Sequence, residues 1–170
     1  MIRSFCYFDL FLLKDLIHMP LEKKNAVVIM AGGEGKRLRP LTENCPKPML
    51  EVGGKPMLQT ILESLIESGF KKFFFSVNYL KERIMEYFGD GSKWNVEIQY
   101  LIEDNPLGTA GSLTLLPKNL TDPIIVMNGD ILTKFDPKKL IDFHHENSSY
   151  ATISVREHET IVPFGVVESN

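Results

Sequence analysis

A short apolar run, Ala26-Val27-Val28-Ile29-Met30, empties directly into Ala31-Gly32-Gly33-Glu34-Gly35. Apolar throughout and rich in β-branched residues, the run reads as a strand buried on both faces, the kind found in the middle of a parallel sheet. Glycines behind such a strand let backbone N–H groups approach a ligand with no Cβ in the way. A loop of this kind can form a concave anion nest. Lys36, Arg37, Arg39 and Lys47 follow within a few residues. Charge-assisted hydrogen bonds contribute roughly 1.5–3 kcal/mol each, so several together can hold a polyphosphate. The plainer reading is a Gly-rich surface turn with solvated basic residues. Two familiar phosphate loops are excluded. A dinucleotide fingerprint needs a third glycine at the helix start, where this chain has Arg37 and Leu38. A Walker A loop needs G-x-x-x-x-G-K-[ST], and the sequence holds no such run.

The rest of the chain alternates strand and helix signals. Leu50 to Val52 is extended, Gly53-Gly54 is a turn, and Pro56 stands where a helix accepts its first proline. Met57, Leu58, Ile61, Leu62, Leu65 and Ile66 recur at helical spacing, and Gly69 supplies the stop. Phe73 to Val77 predicts a second buried strand, Lys81 to Phe88 a helix, Val96 to Leu101 a third strand and Ile124 to Met127 a fourth. A helix capped by Thr109 and running toward Leu116 is expected between the last two. A further helix starts at Asp136-Pro137 and ends near His144 and His145, read as surface residues. Thr152 to Val155 and Phe164 to Glu168 read as strands. The pattern predicts an α/β fold: a Rossmann-like, open, mostly parallel sheet with helices on both faces. In such sheets ligands collect at the C-terminal strand ends, where Asn78, Tyr79 and Asp130 fall.

The opening stretch resembles the signature of sugar-1-phosphate nucleotidyltransferases, G-G-x-G-[TS]-R-L-x-P-x-T followed by P-K. It matches at Gly32, Gly33, Gly35, Arg37, Leu38, Pro40, Thr42, Pro46 and Lys47, and departs at Lys36, where the family carries Thr or Ser. The resemblance covers about residues 25 to 170. It implies that the backbone of Ala31 to Gly35 (Ala31, Gly32, Gly33, Gly35) cradles the nucleotide and its phosphates. Arg37 would stabilise the departing β- and γ-phosphates, and Lys47 would lie near the reacting ones. An Arg suits the first task because its planar fork binds phosphate bidentately. Lys36 and Arg39 are balanced between this role and plain solvation. The run Leu107-Gly108-Thr109-Ala110-Gly111 is similar to the family's base-contacting loop, which places Gly108 and Thr109 at the nucleotide. The Gly-Asp at 129–130 resembles the family's Mg²⁺ ligand, with an ordinary turn cap as the competing reading for Asp130. Phe164-Gly165-Val166-Val167-Glu168 is similar to the family's Y-G-V-V-E, where the glycine backbone faces the sugar; a strand bulge is the alternative for Gly165.

Glu103 bears on the choice of base. A carboxylate only accepts hydrogen bonds, and guanine offers two donors on its Watson–Crick edge. If Glu103 occupies the base-reading place, it favours GTP; a solvated loop acid, with a backbone amide reading the base, is the other reading. The expected reaction is therefore nucleotidyl transfer from an NTP, GTP favoured, to a sugar 1-phosphate with Mg²⁺. A non-catalytic nucleotide-binding fragment and a uridylyl-, thymidylyl- or cytidylyltransferase are the alternatives.

Composition sets outer limits. A length of 170 residues suits one domain with a sizeable core, and 44% hydrophobic with 24% charged residues is ordinary for a globular chain. A net charge of −3 supplies no global attraction to nucleic acid or anionic membrane. Cys6 and Cys45 are too few for a disulfide framework, consistent with a cytoplasmic protein. No apolar run reaches the length of a membrane span. Residues 1–24 read as a separate segment and linker, the stub of an upstream domain, ahead of a nucleotide-binding part at 25–170. Family members continue past the G-V-V-E strand into an E-K-P segment and a second metal-binding Asp. The sequence stops at Asn170, so a missing C-terminal portion is expected as a partner, with a homo-oligomer as the other form of association.

Overall fold

The computed structural model describes residues 22–103, 105, 107–155, 157, 159 and 165. In chain order it contains β1 (Lys23–Met30), a hairpin of β2 (Glu51–Val52) and β3 (Lys55–Pro56), α1 (Met57–Glu67), β4 (Phe70–Val77), α2 (Lys81–Phe88), β5 (Glu97–Ile102), β6 (Ile125–Asn128) and α3 (Pro137–Glu146). Contacts divide the chain into two units, Met1–Pro137 and Lys138–Asn170.

The first unit is built on a four-stranded sheet in the order β5-β4-β1-β6, with every pairing parallel. The apolar runs in β1 and β4 explain why those two strands are central: Val27, Val28, Ile29, Phe73, Phe74 and Phe75 are fully buried. β1 begins earlier than expected. Lys23 and Lys24, read as linker, are strand residues, and the Lys23 N–H donates to the Gly69 carbonyl at 2.9 Å. On one face Ala26, Val28, Phe74 and Leu101 pack with Met30, Leu113, Leu116, Leu120 and Ile124. On β4 Phe75 meets Phe88 of α2 and Tyr100 of β5 edge-on, at 5.3 and 6.0 Å between ring centroids. Such pairs add roughly 0.5–1.5 kcal/mol beyond area burial. α1 buries Leu58, Ile61, Leu62 and Leu65, the stripe its spacing predicts. Gly69, at φ +91°, turns the chain into β4.

The helix expected from Thr109 is a single 3-10 turn, Gly111–Leu115, preceded by Ala110 rather than capped by Thr109. Leu116 precedes Pro117, which disfavours helical backbone there and ends the turn early.

The second unit begins within α3. His144 Nδ1 lies 2.9 Å from Thr152 Oγ1, and the Asn147 side chain donates to the Phe143 carbonyl. Thr152 to Val155, expected as a strand, has no regular structure, and Ile153 and Val155 are exposed. A strand needs a ladder partner for its N–H and C=O groups, and none is found among the described residues. The strand expected at 164–168 lies outside them except for Gly165, which is exposed and in neither helix nor strand.

Candidate nucleotide site

The winding of the sheet fixes where a ligand can bind. From β1 the chain moves outward through β4 to β5, then returns to the other side of β1 with β6. The direction reverses between β1 and β6, the switch point at which α/β sheets open a crevice at their C-terminal ends. Met30 pairs with Ser76 on one side and Asn128 on the other, so the loops after β1, β4 and β6 leave the sheet at one level.

The loop after β1 is held open by contacts to that level. The Ala31 N–H donates to the Ser76 carbonyl at 2.8 Å, and the Gly32 carbonyl accepts from the Tyr79 N–H at 3.4 Å. A Cβ at Gly32 would stand 3.3 Å from Asn78, whereas one at Gly33 would meet nothing within 4 Å. Gly32 is therefore a packing glycine, and Gly33 is the open one. Gly35 adopts φ +62°, and a Cβ there would lie 3.0 Å from Thr42 and 3.1 Å from Lys47. Thr42 is fully buried, and its hydroxyl donates to the Gly35 carbonyl at 2.9 Å. The Tyr79 hydroxyl lies 3.1 and 2.8 Å from the carbonyls of Thr42 and Glu43. The sequence places Tyr79 only at the ligand-binding end of its strand and Thr42 only within the signature, with no contact role for either. Thr42 sits inside the motif, but its role as the clasp of the Gly35 turn shows only in the folded loop.

The four cations separate into groups. Lys36 and Arg39 both pair with Glu34, at 3.2 and 3.7 Å, on the surface. Arg37 is exposed and makes no ion pair among the described residues, which leaves its guanidinium available to a ligand. Lys47 pairs with Asp130, both side chains about 30% exposed. Asp130 reaches this position because Gly129 packs against β1. The Gly129 N–H donates to the Met30 carbonyl at 2.9 Å, and a Cβ there would stand 3.1 Å from that same oxygen.

The second loop lies beyond β5. Glu103 is buried. Its Oε1 accepts from the Ser76 hydroxyl and its Oε2 from the Leu107 N–H, each at 2.9 Å. The Asn78 side-chain amide donates to the Glu103 carbonyl at 2.9 Å. Gly108 adopts φ +81° in open space, and Thr109 is exposed beside it. The structure thus brings together Ala31, Gly32, Gly33, Gly35, Lys47, Asn78, Glu103 and Asp130 through contacts around the strand ends. Gly165 belongs to the other unit.

The Asp130 carboxylate, about 30% exposed at a strand end, is a hard oxygen donor of the kind a divalent cation takes beside waters and substrate phosphates. No cluster of three or more His, Cys, Asp or Glu able to hold a metal occurs among the described residues.

A glycine-rich loop at the switch point of a parallel sheet, with a lysine and a carboxylate facing each other beside it, marks an α/β domain of the open, parallel-sheet class. More specifically, the chain belongs to the nucleotidyl transferase family, whose profile matches residues 26–170. It is 37% identical over 129 residues to a mannose-1-phosphate guanylyltransferase of Mycobacterium tuberculosis, covering 75% of this chain and 36% of that protein. It is 38% identical over 144 residues to a mannose-1-phosphate guanyltransferase of Yarrowia lipolytica, covering 82% and 40%. Among solved structures it is similar to HddC from Yersinia pseudotuberculosis complexed with GMP-PN. The TM-score is 0.63 at 34% identity, over 71% of this chain and 54% of that one. The chain spans about 40% of the length of the curated relatives it matches. No helix among the described residues is long and apolar enough to cross a membrane.

Proposed function

We propose that this chain is the nucleotide-binding part of a sugar-1-phosphate guanylyltransferase. The observation that carries the reading is the arrangement at the switch point: the open Gly33 backbone after β1, Asp130 after β6, and Lys47 bridging to Asp130. GTP is favoured because the relatives are named guanylyltransferases and the matching solved structure carries GMP-PN. Mannose 1-phosphate heads the acceptors for the same reason.

The reaction is a displacement at the α-phosphorus. A phosphate oxygen of the sugar 1-phosphate forms the new P–O bond, the bond to the bridging α–β oxygen breaks, and pyrophosphate leaves with the electron pair. The nucleophile is already an anion, so the protein needs no strong base. Its work is alignment and charge compensation. Backbone N–H groups of Gly32 to Gly35 line the cradle for the phosphates; that of Ala31, expected among them, is instead given to the Ser76 carbonyl and anchors the loop. Arg37, which makes no ion pair among the described residues, takes the departing phosphates, and Lys47 turns from Asp130 to the reacting ones. Asp130 would hold Mg²⁺, which supplies charge neutralisation to the phosphate oxygens. Gly165 is assigned to the sugar side on the motif alone. The reading places the protein in the cytoplasm, where nucleoside triphosphates are made.

The test is binding and pyrophosphate release with Mg²⁺, supplying GTP, UTP, dTTP, CTP and ATP in turn against mannose 1-phosphate and other hexose and hexosamine 1-phosphates. Tightest binding of GTP by this chain, with turnover by the full-length protein, is the expected result. No binding of any nucleotide by a folded chain would overturn the reading.

A further inference from the structure

We propose that Glu103 is a positioning residue, a buried strut that sets the base-side loop, and that it does not read the base itself. The inference rests on the nucleotide-binding reading above and concerns how that site is built.

Glu103 is 9% exposed and its partner Ser76 1%. Both carboxylate oxygens are turned inward onto protein donors: Oε1 onto the Ser76 hydroxyl, Oε2 onto the Leu107 N–H. The main chain of the same residue is also held. Its N–H donates to the Val77 carbonyl at 3.3 Å, and its carbonyl accepts from Asn78. A group that reads a ligand must aim an oxygen at it; here each oxygen is already directed at a protein donor and the residue is 9% exposed. An acceptor-only side chain suits two converging donors.

The far end of the loop is held in parallel. Ser112 is fully buried, with its hydroxyl 3.7 Å from the Met30 sulfur. The loop is thus pinned at Leu107 through Ser76 of β4 and at Ser112 through Met30 of β1. The glycine cradle leaves β1 directly after Met30 and is hydrogen-bonded to the end of β4 through the Ser76 carbonyl and the Tyr79 N–H. Between the pins, residues 107–110 are exposed and Gly108 is unencumbered. Base contact then falls to this exposed segment, and Glu103 sets its height above the cradle.

The test pairs calorimetric binding of GTP, ATP and UTP with Mg²⁺ against hydrogen exchange of the Leu107 amide, in the 170-residue chain. Glu103→Ala should speed exchange at Leu107 by about tenfold or more, since a charge-assisted acceptor is lost. It should weaken all three nucleotides by a similar factor, leaving the GTP preference in place. Glu103→Gln should rescue most of both effects, because its amide oxygen can accept from Leu107 while its NH₂ donates to the Ser76 oxygen. Ser76→Ala removes one end of the strut with little change of volume, and should move both readouts in the same direction by less. It keeps the test open should Glu103→Ala fail to fold. Unchanged Leu107 exchange in both alanine variants would overturn the proposal. So would a Glu103→Gln chain that keeps loop protection but loses the GTP preference, which would make Glu103 the base reader. A wild-type chain that binds no nucleotide would count against the functional reading, while the Leu107 exchange would still decide whether Glu103 anchors the loop.

Discussion

Lys47 and Asp130 form an ion pair across 83 residues of sequence, joining the loop beyond the glycine cradle to the turn after β6. Each is the other's counter-ion, and the proposed reaction assigns each to a different part of a metal-bound nucleotide. With both side chains about 30% exposed, the pair contributes about 1 kcal/mol or less. A triphosphate and its metal can therefore separate it at little cost.

From this follows a division between stability and binding at Asp130. Asp130→Asn should change the free energy of unfolding by no more than about 1 kcal/mol, measured by urea titration. The same substitution should abolish the Mg²⁺-dependent part of GTP affinity in this chain, and in the full-length protein lower turnover by about 100-fold. Mg²⁺ dependence that survives the substitution would remove Asp130 from the metal site.

The clasp on the Gly35 turn gives a second expectation. Thr42→Val keeps the buried shape and removes one of the two hydrogen bonds to the Gly35 carbonyl, which still accepts from the Leu38 N–H. The cost should be about 0.5–1.5 kcal/mol, that of one lost hydrogen bond, with weaker GTP binding. Thr42→Ser should recover most of both. Thermal melts and calorimetry of the two variants check it.

Acid should unpick one surface network selectively. Hydrogen bonds from Gln59 and then Lys55 hold the Glu63 carboxyl below its usual 4.5. Its folded-state pKa is depressed, so the stabilisation is complete above the unfolded value and is lost as pH falls through the folded one. Because the side chain is about one-third exposed, the amount is about 1 kcal/mol or less. The stability gap between wild type and Glu63→Gln should be widest near neutrality and close progressively below pH 4.5, as followed by urea melts across that range.

Alkali acts on the core instead. Burial, and then the nearby Asp90 charge, push the Tyr100 phenol up to about 12. Its hydroxyl donates to the Gly89 carbonyl at 2.7 Å, and its ring packs on Phe75. A raised folded-state pKa means stability is intact below the ordinary phenol value of 10 and is lost as pH rises toward 12. In an ultraviolet titration, Tyr100→Phe should remove a phenol that ionises near pH 12.

Much of this was legible from residues alone, for identifiable reasons. β1 and β4 announce themselves because a doubly buried strand is apolar at every position. α1 and α2 follow from apolar spacing and glycine stops, and the glycine loop from its place behind a strand. The segment after Gly108 misled because its helix-compatible residues wind only as a short 3-10 helix over Gly111–Leu115, starting two residues past Thr109, with Leu116 already extended ahead of Pro117. Thr152–Val155 carries strand propensity, but a strand exists only with a neighbour, and pairing is not encoded locally. Glu103 is the hardest case. An acid after a strand reads as solvent-facing or ligand-facing; its burial depends on a serine 27 residues earlier, on the neighbouring strand.

The placement of β6 beside β1 has a consequence for how the chain is made. Val27 pairs with Phe73 on one side and with Ile125 on the other, and the Asn25 side chain donates to the Pro123 carbonyl across 98 residues. Long-range pairing of this kind pays loop-closure entropy before it returns any contact. On a ribosome, the strand that feeds the glycine cradle emerges long before either neighbour, and its second flank stays open until residue 125 and beyond has been synthesised. A nascent chain carrying the whole glycine motif therefore has no Asp130 for Lys47 to meet, and the two come together only once β6 has been made.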